Sequence, residues 1–211
     1  GWYRKTFNLS EKDTAKLFFI DFDGIYHRSE VWINGHYLGK RPNGYISFRY
    51  ALTPYLNFGN QPNTIAVKVD NSEQPNSRWY SGSGIYRNVW LVKTHPVHVN
   101  HWGTFVTTPS VTEETAQVMV STQVSNKSKA QGSFSLQTII YDANDKEVAS
   151  TTRDITLKDT INEFSQQLTL QDPQLWSVDN PYLYKVVTLI KQDGKVLDNY
   201  ETPLGVRTFY F

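Results

Sequence analysis

Apolar and polar residues alternate with period two over most of the chain, and helical spacing is almost absent. In the segment 64–70, Ile65, Val67 and Val69 share one face while Lys68 and Asp70 take the other. In 116–124, Ala116, Val118, Val120, Thr122 and Val124 point one way, and Gln117, Ser121 and Gln123 point the other. Phe134, Leu136, Thr138 and Ile140 repeat the pattern, as do Phe164, Leu168 and Leu170. Residues 182–190 are apolar on both faces, as expected of a central strand in a sandwich. Turn residues separate these runs. Asn34-Gly35 and Asp193-Gly194 each sit between two apolar runs and predict type I′ hairpins, which need positive φ at both central residues. Asn43-Gly44 and Asp142-Ala143-Asn144-Asp145 mark further turns, and Thr53-Pro54-Tyr55-Leu56 predicts a single helical turn.

A chain of strands and turns is all-β. The loops change character near residues 94–100. Before that point they are long and rich in Gly, Asn and Trp; after it they are shorter and carry Lys, Asp, Ser and Thr. This predicts two modules, 1–95 and 96–211, each long enough to bury a core of its own. The longest irregular stretch runs from Asp70 to Gly84, and loops of that length inside a compact domain are usually functional or disordered. Its aromatic content favours order.

Composition narrows the chemistry. The formal charge is +1, from 21 basic and 20 acidic residues, which gives no electrostatic reason to expect nucleic acid or an anionic membrane surface. No apolar run approaches the roughly 18 residues that span a bilayer. Cysteine is absent, so stability comes from packing. Aromatic residues make up 14%, a content that suits sugar C–H faces and sandwich cores equally. No signal peptide is visible. Gly1-Trp2-Tyr3-Arg4-Lys5 opens directly in strand pattern, which suggests a processed or truncated chain.

Candidate binding chemistry concentrates after Asp70. Asp70, Asn71 and Arg78 supply carboxylate, amide and guanidinium groups beside Trp79 and Tyr80, a set able to pair with sugar hydroxyls and stack on a sugar ring. The plainer reading is a self-packed loop held by an Asp70–Arg78 ion pair, and pattern alone weighs the two evenly. His95, His98 and His101 would not converge from one strand, so an inter-module connection is favoured over a metal site. Tyr80-Ser81-Gly82-Ser83-Gly84 lacks the leading Gly of a serine-nucleophile elbow, and the nucleotide-binding glycine motifs are missing, so no cofactor is implied. A retaining glycosidase needs two carboxyl groups roughly 5–5.5 Å apart. The most suggestive pair, Asp21 and Asp23, would lie on one strand face about 7 Å apart, as solvated or ion-paired carboxylates. No catalytic pair is expected in this chain.

Several stretches, in order, carry a resemblance. They are Gly1-Trp2-Tyr3-Arg4-Lys5-Thr6-Phe7; Phe22-Asp23-Gly24-Ile25-Tyr26 with Glu30-Val31-Trp32-Ile33-Asn34-Gly35; and Asp70-Asn71-Ser72 with Arg78-Trp79-Tyr80-Ser81-Gly82-Ser83-Gly84-Ile85-Tyr86-Arg87-Asn88-Val89-Trp90. In the second half, Pro173-Gln174-Leu175-Trp176-Ser177, Asn180-Pro181-Tyr182-Leu183-Tyr184 and Gly205-Val206-Arg207 follow. Together they resemble the N-terminal region of family 2 glycoside hydrolases, the β-galactosidase branch above all. The resemblance implies a galactose-binding-like jelly roll lacking its first strands, then an immunoglobulin-like sandwich, with the catalytic barrel absent. It implies that Asp70 and Asn71 reach the terminal-sugar subsite of a β-galactoside, with Arg78, Trp79 and Tyr80 supporting or lining its rim. It further implies that the barrel of the same polypeptide is the partner, and that the parent is periplasmic or extracellular. Ala51 departs from the acidic residue that similar sequences often place there. A free-standing carbohydrate-binding or adhesion protein is the alternative, as is the same region of a β-glucuronidase or β-mannosidase; a homo-oligomer is left open.

Overall fold

The computed structural model describes residues 1–73 and 82–208. Its contacts divide the chain into two compact units, Gly1–Thr94 and His95–Phe211. The chain is all-β, a jelly-roll sandwich followed by an immunoglobulin-like sandwich.

In the first unit the strands are β1 (Trp2–Phe7), β2 (Leu17–Phe22), β3 (Ile25–Tyr26), β4 (Ser29–Ile33), β5 (His36–Arg41), β6 (Phe48–Ala51), β7 (Asn63–Lys68), β8 (Gly84–Ile85) and β9 (Val89–Thr94). One sheet has the order β1-β7-β4-β5, the other β6-β2-β9, and β3 pairs with β8. Alternation decides which side chains meet between the sheets. Val31 and Ile33 of β4 and Ile65 and Val67 of β7 join Phe18, Ile20 and Phe22 of β2 and Phe48 of β6 in one buried cluster. The Asn34-Gly35 hairpin forms as expected, with φ of 49° and 84°. The Asn34 side chain also ties the hairpin to its surroundings. Its Oδ1 accepts from Thr64 N–H at 2.8 Å, and its Nδ2 donates to Tyr55 O at 2.7 Å and to Asn63 Oδ1 at 2.8 Å. Thr53–Tyr55 is a single 3-10 turn, and Thr53 Oγ1 accepts from Phe18 N–H at 2.8 Å.

The second unit contains β10 (Val97–Val111), β11 (Thr115–Asn126), β12 (Phe134–Tyr141), β13 (Glu147–Ile155), β14 (Ile161–Gln171), β15 (Tyr184–Gln192) and β16 (Lys195–Leu204). Sheets of order β10-β11-β14 and β13-β12-β15-β16 enclose the core. The inward residues of β11 are buried as their alternation predicts, and β15, apolar on both faces, is a central strand. The Asp193-Gly194 turn closes β15 onto β16 with φ of 50° and 76°. The interior holds two apolar clusters. Thr122, Thr138, Gln166 and Thr188 occupy the intervening positions on their strands and are all buried. Across the sheets, Thr138 Oγ1 donates to Gln166 Oε1 at 2.8 Å, and Gln166 Nε2 donates to Leu136 O at 3.2 Å. Trp176 and Tyr184 pack within this unit: Arg207 lies 4.9 Å over the Trp176 ring, and Tyr184 Oη accepts from Gln174 N–H at 2.7 Å.

Candidate functional site

Strand β7 ends at Lys68, and its period carries the chain through buried Val69 to Asp70, half-buried at the mouth of the long loop. Two groups of Ser72 fix the Asp70 carboxylate. Its Oδ1 accepts from Ser72 Oγ at 2.6 Å and from Ser72 N–H at 3.0 Å, a local turn in which the aspartate closes over its own backbone. The Ser72 hydroxyl, then the Ser72 N–H, hold this carboxyl below its usual range, with Arg28 and Lys68 adding smaller contributions in the same direction. Among the described residues no hydrogen bond reaches Oδ2.

Arg28 is the residue that sequence reasoning missed. Its Nε donates to Asp70 O at 3.2 Å, Nη2 lies 4.0 Å from Asp70 Oδ1, and Nη1 pairs with Glu73. The side chain is only 16% exposed, so one guanidinium holds both ends of the 70–73 segment. The backbone supports the same arrangement, since Asp70 N–H donates to His27 O at 3.2 Å and Arg28 N–H to Pro42 O at 3.2 Å. The described structure thus gives Asp70 the cation Arg28. The three expected rim residues, Arg78, Trp79 and Tyr80, lie outside the described residues. Asn71 is half-buried beside Asp70.

An aromatic group adjoins this segment through His27. The His27 and Tyr26 rings stack with centroids 4.5 Å apart, and exposed Tyr45 meets Tyr26 edge-on at 5.3 Å. Tyr86 donates from Oη to Gly44 O at 2.8 Å. The rings approach the backbone closely enough that a Cβ on Gly24 would meet Tyr86 at 2.6 Å, and one on Gly44 would overlap Tyr26. Glycine at these positions lets Tyr86 and Tyr26 pack directly on the backbone. The result is a carboxylate, an amide, a half-buried guanidinium and phenol rings in one region, the chemistry that can pair with sugar hydroxyls and C–H faces.

Other expected candidates are placed elsewhere. Strand β2 ends at Phe22, so Asp23 does not continue the strand face of Asp21; its N–H donates to Asn88 O at 3.0 Å. Arg49 holds Asp21 in a bidentate pair, both contacts 2.6 Å, and Trp90 Nε1 donates to Asp23 Oδ2 at 3.1 Å. His98 is buried, His95 Nδ1 accepts from Val97 N–H at 3.0 Å, and His101 stacks on Trp102 at 4.5 Å. Among the described residues no group of three or more His, Cys, Asp or Glu is placed to hold a metal ion. Among the described residues no helix is long and apolar enough to cross a membrane.

Comparison with known proteins gives this geometry its context. Residues 1–96 match the sugar-binding domain of glycosyl hydrolases family 2, and residues 97–207 match the model described as glycosyl hydrolases family 2. The β-galactosidase BoGH2A of Bacteroides ovatus is 53% identical over 99% of this chain, which spans 25% of that protein. A protein of Formosa agariphila named as a putative β-glucuronidase is 41% identical over 99% of this chain, which spans 19% of it. Among solved structures, a family 2 member from Bacteroides cellulosilyticus matches with a TM-score of 0.96 and 41% identity, over 100% of this chain and 29% of its own. A β-glucuronidase from glycoside hydrolase family 2 matches with a TM-score of 0.93 and 35% identity, over 98% of this chain and 24% of its own. The chain therefore spans about a quarter or less of the curated relatives it matches here, and by sequence and fold alike it belongs to glycosyl hydrolase family 2.

Proposed function

We propose that this chain is the accessory, N-terminal portion of a retaining hydrolase of terminal β-galactosides. In this reading it shapes one side of the sugar pocket and braces a catalytic barrel elsewhere in the same polypeptide. Asp70 and Asn71 contact terminal-sugar hydroxyls, and Arg78, Trp79 and Tyr80 support or line the rim. The observation that carries the reading is the pre-set Asp70. Among the described residues Ser72 alone hydrogen-bonds the carboxylate, at Oδ1, and favours its ionised form, which leaves Oδ2 to accept from a sugar hydroxyl. The relative named as a β-galactosidase, 53% identical to this chain, supports the substrate class. The parent would work in the periplasm or outside the cell. The chain by itself would be inactive, because the acid and the nucleophile belong to the barrel.

The test is Asp70→Ala in the complete enzyme. Loss of a charge-assisted hydrogen bond that strengthens in the transition state should lower kcat/KM on an aryl β-galactoside about 10–100-fold. Unchanged kinetics would remove Asp70 from the pocket. A β-glucuronide substrate is the second reading, favoured by the relatives named as β-glucuronidases. Parallel assays on aryl β-galactoside and aryl β-glucuronide separate the two.

A further inference from the structure

The β1-β7-β4-β5 sheet has an outer face whose composition differs from an ordinary solvated surface. Cross-strand register places Trp2, Arg4 and Thr6 of β1, Thr64, Ala66 and Lys68 of β7, Glu30 and Trp32 of β4, and Tyr37 and Lys40 of β5 on it. Trp2 and Trp32 are in ring contact at 5.3 Å between centroids and 33° between planes, and Trp32 meets Tyr37 at 5.3 Å and 51°. The three rings form a continuous ridge of mutually tilted faces. Trp2 is 65% exposed and Tyr37 50% exposed. Ala66 lies between Arg4 and Trp32 in the register, and its small side chain leaves a notch of about 360 Å³ with Trp2, Trp32 and Arg4 as walls and Thr64 on the rim. That volume falls within the range of small-ligand sites.

The polar groups show what could occupy the notch. Among the described residues Arg4 has no hydrogen bond or ion pair, whereas Lys68 is joined to Glu30 at 3.3 Å. The strand positions of this face therefore carry three cations, Arg4, Lys68 and Lys40, against the single carboxylate Glu30. Flat indole faces take the C–H face of a pyranose, and a guanidinium fork without a partner takes a carboxylate. A purely apolar partner would leave Arg4 desolvated and unpaired, at a cost. A neutral glycan would leave the cation excess unused. We propose that this face is a glycan-binding shelf for uronate-bearing oligosaccharides, with Trp2 and Trp32 stacking on a sugar ring, Arg4 pairing with its carboxylate and Ala66 forming the floor. Among the described residues, none of the Asp70 loop lines the notch.

Affinity electrophoresis of the complete polypeptide in gels containing polygalacturonate or neutral galactan tests this. The wild-type protein should be retarded by polygalacturonate and much less by galactan. Trp2→Ala and Ala66→Gln, the second filling the notch without removing a ring or a charge, should abolish the retardation. Arg4→Gln should weaken it about tenfold, as loss of a charge-assisted pair does. Turnover of an aryl β-galactoside should be the same in all three variants as in wild type. No retardation of the wild-type protein, equal retardation by neutral galactan, or full retardation of Trp2→Ala, which would mean simple ion exchange, would each overturn the proposal.

Discussion

Asp70 illustrates how one side chain is prepared by its immediate neighbours. The fold favours its ionised form, because the Ser72 hydroxyl and N–H both donate to it, with Arg28 and Lys68 adding to the same effect. A carboxyl lowered in this way contributes stability that is complete above its unfolded value of 3.8 and is lost as pH falls through the lower folded value. Ser72→Ala, which removes the hydroxyl but keeps the N–H, should therefore raise the Asp70 pKa towards 3.8, and Arg28→Gln should raise it less, since the serine hydroxyl makes the largest contribution. A carbon-detected NMR titration of the Asp70 carboxyl measures both shifts. If Arg28→Gln gave the larger one, the serine would not be the principal cause. Arg28 has a separate mechanical role. By holding Asp70 O and Glu73 together, it keeps the 70–73 segment in place, so its replacement should speed amide exchange there.

At the scale of strands and turns, side chains that reach across elements matter most. Asn34 holds a positive φ and makes three side-chain hydrogen bonds to Tyr55, Asn63 and Thr64. Asn34→Ala loses all three and should cost about 2–4 kcal/mol. Gly35→Ala, which only adds a Cβ at φ 84° in open space, should cost about 1–2 kcal/mol. Denaturant unfolding of the two variants checks the order. The Thr138–Gln166 bridge gives a sharper comparison. Gln166→Ala strands the Thr138 hydroxyl in a buried layer and should cost about 1–3 kcal/mol or more with the cavity it leaves, whereas Thr138→Val combined with Gln166→Leu should be nearly neutral. A double replacement as damaging as the single one would show that the layer matters for shape and not for its hydrogen bonds.

These elements also show what a linear pattern can reveal. The inward faces of β7, β11 and β12 and both hairpin turns follow from alternation and turn chemistry, which are local rules. The buried position of Thr122 and Thr138 follows too, but not the Gln166 bond, which spans 28 residues. Arg28 escaped notice for the same reason. It reads as an ordinary exposed cation after Tyr26-His27, and only the pairing of β4 with β7 brings it to a loop 42 residues away. Asp70 and Asn71 could be singled out because they end an alternating strand and begin an irregular, polar stretch. The aromatic ridge could not, because Trp2, Trp32 and Tyr37 become neighbours only once β1, β7, β4 and β5 are placed in order.

For the molecule as a whole, the issue is whether these 211 residues can cleave a glycoside unaided. Retaining hydrolysis needs a carboxylate nucleophile and, roughly 5–5.5 Å away, a carboxyl kept protonated to act as acid. Several of the described carboxylates are bound to other partners: Asp21 to Arg49, Asp23 to Trp90, Asp13 to Lys93, Glu30 to Lys68 and Asp145 to Lys185. Asp70, at the mouth of the candidate pocket, is displaced downwards, the opposite direction from the one a general acid requires. It can accept a hydrogen bond from a sugar hydroxyl but is a poor proton donor to a leaving group near neutral pH. The purified chain should therefore turn over 4-nitrophenyl β-galactoside no faster than buffer between pH 4 and 8, assayed over hours at micromolar protein. Turnover that followed a single acidic pKa and vanished in Asp70→Ala would reverse this assignment and make the loop itself catalytic.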